Sequence, residues 1–354
     1  MKNYEPEILI YGAGAIGASI GGLLYPHYPH ITLLARGKHA RKMKANWLVL
    51  YMKKEPSSPS KIAIPVIESL SEKPKFDVII ITVKNYDLPE AAKYIRNSLG
   101  DRPIIVGMEN GVENQKILPQ YFSRVFYGVI CYNAWHDEPG VIGVEKKGPI
   151  IFGALGQDPE LREHMESLVE VFKRGMAADI TERFEDTVHS KLVLNLTNSI
   201  MTLVGHKFRE IKNLRVLKKI TVSALLEGIE IVEKAGYKEA PIPGSPGWKL
   251  LKIASKLPDF ISDIIFENDF RNMGLNSMGQ DILLMKKRKS EINSLDGYFV
   301  GLAKELDVKA PTIRTVFELG KDRFSRPDFQ PMDVEEIWKK VIEKRAIHPL
   351  FIED

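Results

Sequence analysis

Two sets of side chains in this chain have the types and spacing to do chemistry. One is a stripe in a mostly apolar run, His189-Ser190-Lys191-Leu-Val-Leu-Asn195-Leu-Thr-Asn198-Ser199. At about 100° per residue, Asn195 falls roughly 40° from Lys191, Asn198 about 20° to the other side, and Ser199 about 80° away. One helical face therefore carries an ammonium and amide groups. Burying a lysine is costly unless it is paired or put to work. A lysine whose pKa falls on desolvation is a usable general acid near neutral pH. A lysine that only snorkels at a helix start is the plainer alternative. Glu291 falls at or near the expected start of a later helix running from Ser290 to Leu306, where a carboxylate is electrostatically favoured. That gives it a structural explanation as well.

The other set is the glycine cluster Gly12-Ala13-Gly14-Ala15-Ile16-Gly17, which follows the apolar run Ile8-Leu9-Ile10-Tyr11. The order suits a buried parallel strand that turns sharply into a helix. Gly12 permits the turn, Gly14 admits a pyrophosphate to the backbone, and Gly17 lets helix and strand pack closely. Phosphates would sit on the free N–H groups of the helix N-terminus. An acid about 20 residues past the glycines would hold a ribose 2′-hydroxyl. Here the second strand ends Leu34-Ala35-Arg36-Gly37-Lys38, with Arg41 one turn further on. A guanidinium there suits a 2′-phosphate, so NADP(H) is expected over NAD.

These residues need elements to hold them. Strands are expected at Ile31 to Ala35, Trp47 to Met52, Lys61 to Pro65, Asp77 to Val83 and Pro103 to Met108, with Pro56 to Ser60 as a turn. Lys84 and Asn110 follow two of these strands, where ligands bind in open α/β sheets. Both are site candidates, although Lys84 could be a plain strand-end lysine and Asn110 a turn former before Gly111. Further strands at Arg124 to Asn133 and Gly140 to Gly153, and a helix from Pro159 to Arg174, close the first half. Cys131 reads as a small core residue rather than a nucleophile. The second half is helical: Leu214 to Ala235, then an amphipathic stretch from Ser277 to Lys287. A terminal helix follows, opened by Asp333-x-x-Glu336 with Val334, Ile337, Trp338, Val341 and Ile342 at helical spacing.

The 354 residues suffice for two cores, and the 44% hydrophobic and 27% charged content is ordinary for a soluble protein. The net charge of +4 comes without a concentrated basic stripe, so no nucleic-acid role is expected. One cysteine allows no internal disulfide and fits a reducing cytoplasm. No signal peptide and no apolar run of about 20 residues is evident, so no membrane role is expected. No metal site is expected; His27 and His30 share a loop without a neighbouring carboxylate or cysteine at ligand spacing.

Taken together, these residues resemble the ketopantoate reductase (2-dehydropantoate 2-reductase) family. The resemblance rests on the glycine cluster, Arg36, Thr82-Val-Lys84, Asn110-Gly111, Pro139-Gly140 and Lys191-Leu-Val-Leu-Asn195. It continues through Ser277-Met-x-Gln280-Asp281 and Glu291-Ile292 followed by Gly297. It implies an N-terminal α/β Rossmann-type dinucleotide-binding domain (1–183). An all-α C-terminal domain (184–354) follows, with an extension from about residue 326 and substrate in the cleft between the two. It further implies NADPH-dependent reduction of a 2-oxo acid, ketopantoate, in pantothenate synthesis. Lys191 would protonate the alkoxide with Glu291 as its partner. Asn110 and Ser277 would hold the substrate carboxylate and carbonyl region, and Asn195 its distal hydroxyl. Gly12, Gly14, Gly17, Arg36 and Lys84 would serve the cofactor. The chain departs from the family at Ser199, where an asparagine is usual and Asn198 stands one place early. It departs again at Asn293, where Glu-Ile-Asp is usual. A different 2-oxo acid, or a non-catalytic NADP(H)-binding regulator, are the alternatives. A homodimer is compatible with the reading and not required by it.

Overall fold

The computed structural model describes residues 5–73 and 75–347. The chain divides into two compact units, Met1–Val188 and His189–Asp354. In the first unit the strands are β1 (Ile8–Tyr11), β2 (Ile31–Leu34), β3 (Leu48–Met52), β4 (Glu55–Ile62), β5 (Val66–Ile67) and β6 (Val78–Ile81). They continue as β7 (Ile104–Gly107), β8 (Val125–Ile130), β9 (Ala134–Glu138), β10 (Val141–Val144), β11 (Ile150–Gly153) and β12 (Ala178–Ile180). Its helices are α1 (Ala15–Leu24), α2 (Gly37–Asn46), α3 (Leu88–Leu99), α4 (Glu113–Ile117) and α5 (Pro159–Lys173).

The main sheet runs β12-β11-β8-β7-β6-β1-β2-β5. From β5 to β8 all neighbours are parallel, and β11 pairs antiparallel to β8. Parallel strands with both faces covered need unbroken apolar runs, and β1 (ILIY) and β6 (VIII) are buried at every position. Within this parallel set β2 and β5 lie on one side of β1, and β6, β7 and β8 on the other. The strand order therefore reverses between β1 and β6, the place where dinucleotide folds bind their ligand.

A second sheet, β4-β3-β10-β9, lies across α1. The Gly21-Gly22 pair lets the helix fit between the two layers. A Cβ on Gly21 would stand 2.7 Å from Leu33 of the main sheet, and one on Gly22 would stand 2.8 Å from Leu50 of the second. The expected turn at Pro56 to Ser60 is instead the middle of β4. The chain reverses earlier, at Lys53-Lys54, and β4 occupies the exposed rim of its sheet. Proline lacks the N–H a central strand must donate, so two prolines argued for a turn. A rim position with a register shift removes that objection.

The second unit is helical, apart from the first turns of α6 (Phe184–Val204), which begins before the division. It continues with α7 (Leu214–Lys234), α8 (Trp248–Ala254), α9 (Asp259–Asn272), the single turn α10 (Ser277–Gly279), α11 (Asp296–Glu305), α12 (Pro311–Arg323) and α13 (Val334–Ile347). Two expectations need correction here. The stretch from Ser277 is one α-turn followed by a π-turn, Gln280–Leu284, and not one long helix. The helix expected from Ser290 begins at Asp296. The connection after Gly236 contains α8 and α9, two helices the apolar spacing did not reveal. The tail helix α13 packs on α7 and α12 through buried Val334, Ile337 and Val341, while Ile342 stays exposed. The carboxylates of Asp333 and Glu336 are held by Arg209 and Arg323. Among the described residues no helix is long and apolar enough to cross a membrane, and no group of three or more His, Cys, Asp or Glu could hold a metal.

Candidate active site

The carboxyl ends of β1, β2, β6 and β7 share one edge of the main sheet, because the strands are parallel and in direct register. That edge gathers every first-unit candidate: Gly12 to Gly17, Arg36, Lys84 and Asn110. Gly12 has φ of +106°, a conformation that sets the sharp exit from β1 and that side-chained residues rarely adopt. A Cβ on Gly17 would lie 2.2 Å from the Gly12 carbonyl oxygen and 2.5 Å from Thr82 Oγ1, so the helix could not approach its strand so closely with any other residue. A Cβ on Gly14 would meet no atom within 4 Å, which leaves the front of the turn open. The first turn of α1, from Ala15 and Ile16 to Gly17, contains no acidic residue, and the N-cap Gly14 offers no side chain to its N–H groups. These are the conditions for an anion site.

Thr82 braces the turn from behind, its hydroxyl donating to the Gly12 carbonyl at 2.7 Å. Asn85 donates to the Asn110 carbonyl and so ties the loop after β6 to the loop after β7. Asn110 is half-buried and precedes Gly111, whose φ is +100°. Lys84 is half-buried at the start of the turn before α3. Arg36 is exposed at the N-cap of α2, one of its terminal nitrogens donating to Tyr11 Oη at 3.1 Å. Burial pushes the Tyr11 phenol up, with the Arg36 charge pulling the other way. His39, unread in the sequence, accepts from the Gly140 N–H at Nδ1 (2.9 Å) and joins α2 to the β9–β10 hairpin. Burial holds its imidazole below the usual histidine range, against a contribution from the Ala13 backbone.

The second-unit candidates sit on and around α6. Leu192, Val193, Leu196, Ser199 and Ile200 are buried, whereas Lys191, Leu194, Thr197 and Asn198 are half-buried and Asn195 is buried beside them. The less covered side of the helix thus includes Lys191 and Asn198 of the stripe together with Leu194 and Thr197, while Asn195 is covered. Ser277 is half-buried at the first position of α10. Its neighbour Asn276 caps that turn, accepting from the Gly279 N–H at 2.8 Å, and its amide donates to the Asn198 carbonyl at 3.2 Å. That cross-link brings the Ser277 segment to the stripe; an Asn three residues ahead of a glycine was its one sequence signal. Glu291 is buried, five positions before α11, and its carbonyl accepts from the Ser294 and Leu295 N–H groups. Glu291 thus stands in the turn that leads into α11 rather than in the helix itself.

Ser199 turns out to be committed. Its hydroxyl donates to Asp296 Oδ2 at 2.5 Å in a fully enclosed pair, and Asp296 Oδ1 has no hydrogen-bond partner among the described residues. Burial pushes the Asp296 carboxyl up to about 7, against the Ser199 hydrogen bond. His189, which precedes the stripe, is buried: it stacks on Tyr237 with ring centroids 3.5 Å apart and bonds Tyr298 Oη at 2.7 Å. Cys131 is buried and donates weakly to the Val129 carbonyl at 3.7 Å.

Comparison with known proteins bears on the family and the fold. The family model for ketopantoate reductase PanE/ApbA matches residues 8–157, and the one for its C-terminal part matches residues 183–323. The chain is 27% identical to a 2-dehydropantoate 2-reductase of Pyrococcus horikoshii over 308 residues, 86% of this chain and 93% of that one. Among solved structures, a D-mandelate dehydrogenase with NADH and anilino(oxo)acetate superposes with a TM-score of 0.72 at 18% identity, covering 90% of this chain and 99% of that one. A PanE/ApbA family ketopantoate reductase from Ralstonia eutropha JMP134 gives 0.70 at 20% identity, covering 90% and 99%.

Proposed function

The chain belongs to the ketopantoate reductase PanE/ApbA family and is an oxidoreductase, and from that premise we propose that it reduces ketopantoate to pantoate with NADPH. The observation that carries the reading is half-buried Lys191 and Asn198 on one strip of α6 with buried Asn195 beside them. An ammonium and two amides grouped on one strip of a largely enclosed helix are the donors a small charged substrate would need.

The residues at the sheet edge fit a dinucleotide. The space in front of Gly14 and the first turn of α1 would take the pyrophosphate, and Arg36 with Lys38 and Arg41 would take a 2′-phosphate. When bound, the dinucleotide supplies the hydride that reduces the substrate's C2 carbonyl. Negative charge then builds on the carbonyl oxygen, and the Lys191 ammonium stabilises it and gives up a proton to it. Glu291 acts as the partner carboxylate of Lys191. Asn110 and Ser277 hold the carboxylate end of the substrate, and Asn195 with Asn198 its distal hydroxyl.

A second reading keeps the chemistry and changes the acid. It is favoured by Ser199, whose hydroxyl is spent on Asp296 and contributes nothing to a distal hydroxyl. The test is oxidation of NADPH with ketopantoate and with branched, aromatic and hydroxylated 2-oxo acids. Highest kcat/KM on ketopantoate supports the first reading, and a clear preference for another acid supports the second. Tight NADPH binding without turnover on any of them overturns both and leaves a regulator.

A further inference from the structure

Strand β1 ends on a tyrosine after three aliphatic residues. Tyr11 pairs in register with Leu34 of β2, so the two point to one face of the sheet. Arg36, two residues past Leu34 and still extended, points to that face too. Helix α3 covers it, and the Tyr94 ring of α3 lies 6.4 Å from the Tyr11 ring between centroids. The backbone on both sides is pinned. The Thr82 N–H donates to the Tyr11 carbonyl at 3.0 Å, the Gly12 N–H to the Leu34 carbonyl at 3.2 Å, and the Ala35 N–H to the Ile67 carbonyl at 3.0 Å. Tyr94 is fixed in turn: its hydroxyl accepts from the Leu70 N–H at 3.3 Å and shares a hydrogen bond with Ser69 Oγ at 3.2 Å. A phenol is thereby held in one place beside an exposed guanidinium.

A buried tyrosine hydroxyl usually finds a partner, and it can both donate and accept. Tyr11 is 4% exposed, and its oxygen accepts from an Arg36 terminal nitrogen at 3.1 Å. Among the described residues nothing accepts the proton of that hydroxyl, and no carboxylate pairs with Arg36. We propose that the Tyr11 hydroxyl is a second donor to the 2′-phosphate of NADP(H), acting beside Arg36 and setting the preference for that phosphate over a plain ribose hydroxyl. The inference rests on the NADPH reading of Arg36. Burial keeps the proton on the phenol by pushing its titration up, with the Arg36 charge opposing and the Tyr94 and Glu90 charges adding to the rise. A phosphate brings the acceptor that this proton lacks and the counter-charge that Arg36 lacks. The rival occupant is a ribose hydroxyl accepted by Glu90, an acid in the first turn of α3. Three exposed cations, Arg36, Lys38 and Arg41, outnumber that acid and favour the phosphate.

The experiment is titration calorimetry of the full chain with adenosine 2′,5′-bisphosphate and with 5′-AMP, which needs no turnover. The wild type is expected to bind the bisphosphate more tightly. Tyr11→Phe should weaken the bisphosphate about 10–100-fold, the worth of one hydrogen bond to a charged group, and leave 5′-AMP within about twofold. Its melting temperature without ligand should stay near that of the wild type, because water replaces the lost contact to exposed Arg36. Tyr11→Met takes its place if Tyr11→Phe fails to fold. Arg36→Ala/Tyr11→Phe should bind the bisphosphate more weakly than Arg36→Ala alone. Equal affinity of those two would mean that Tyr11 only steadies the guanidinium, and it overturns the inference. So does a Tyr11→Phe variant that keeps the wild-type discrimination, and in both cases the NADPH reading stands. A wild type that binds the two nucleotides equally overturns the inference and the NADPH reading together.

Discussion

Lys191 and Asn195 lie on one side of α6 and Ser199 is turned inward, so two polar groups one helical turn apart have opposite fates. Lys191→Ala should lower kcat by about 10²–10⁴-fold, the usual share of a positioned acid, while the NADPH dissociation constant changes little. An unchanged kcat in steady-state assays would remove Lys191 from the chemistry. Arg36→Ala should weaken NADPH far more than NADH in parallel titrations, because the loss falls on the 2′-phosphate; equal losses would count against that contact. Asp296 makes a prediction about stability. Its folded carboxyl titrates near 7, against the ordinary value of 3.8, so between those limits the folded state binds the extra proton. Stability must then fall as pH rises through this window, by up to about 4 kcal/mol. Asp296→Asn keeps the acceptor for Ser199 and removes the titration. Urea unfolding at pH 5 and pH 8 should show the wild type losing stability relative to the variant, and parallel behaviour would contradict the buried charge.

The turn between β1 and α1 separates two uses of glycine. Gly14→Ala meets open space, so its melting temperature should stay near the wild type while NADPH affinity falls. Gly17→Ala puts a methyl group against the Gly12 carbonyl and Thr82, so it should lower the melting temperature itself. Calorimetry with and without NADPH distinguishes the pair. This turn was fully legible in the sequence, because a backbone that bends sharply and packs closely admits few residue types. The parallel strands were legible for a related reason: burial on both faces leaves unbroken apolar runs such as Ile8 to Tyr11. Helix α9 was not, since periodicity locates the apolar side and assumes that it points inward, and here Asp263 takes the covered position against Lys218 while Ile264 is exposed. Nor was the break at Gln280–Leu284 readable, as the π-turn preserves the apolar content of a helix while changing its hydrogen bonding. The inward turn of Ser199 depended on Asp296, which is remote in sequence and which no local pattern joins to α6.

At the scale of the molecule, the extension past Arg326 is built into the second unit. The Met332 N–H donates to the Leu203 carbonyl, Arg209 grips Asp333, and Val334, Ile337 and Val341 are buried. Each of those side chains contributes about 1.5–3 kcal/mol by leaving water. A chain ending at residue 325 should therefore melt several degrees lower or fail to remain soluble; a full-length melting temperature would show the extension to be dispensable.

The placement of Pro56 and Pro59 in β4 has a consequence for life at high concentration. An eight-residue strand on the border of a sheet offers its outer N–H and C=O groups to any passing strand, and so invites stacking into fibrils. Two residues that cannot donate, spaced along that border, spoil the template. Pro56→Val/Pro59→Val should reopen that border as slow, seedable aggregation.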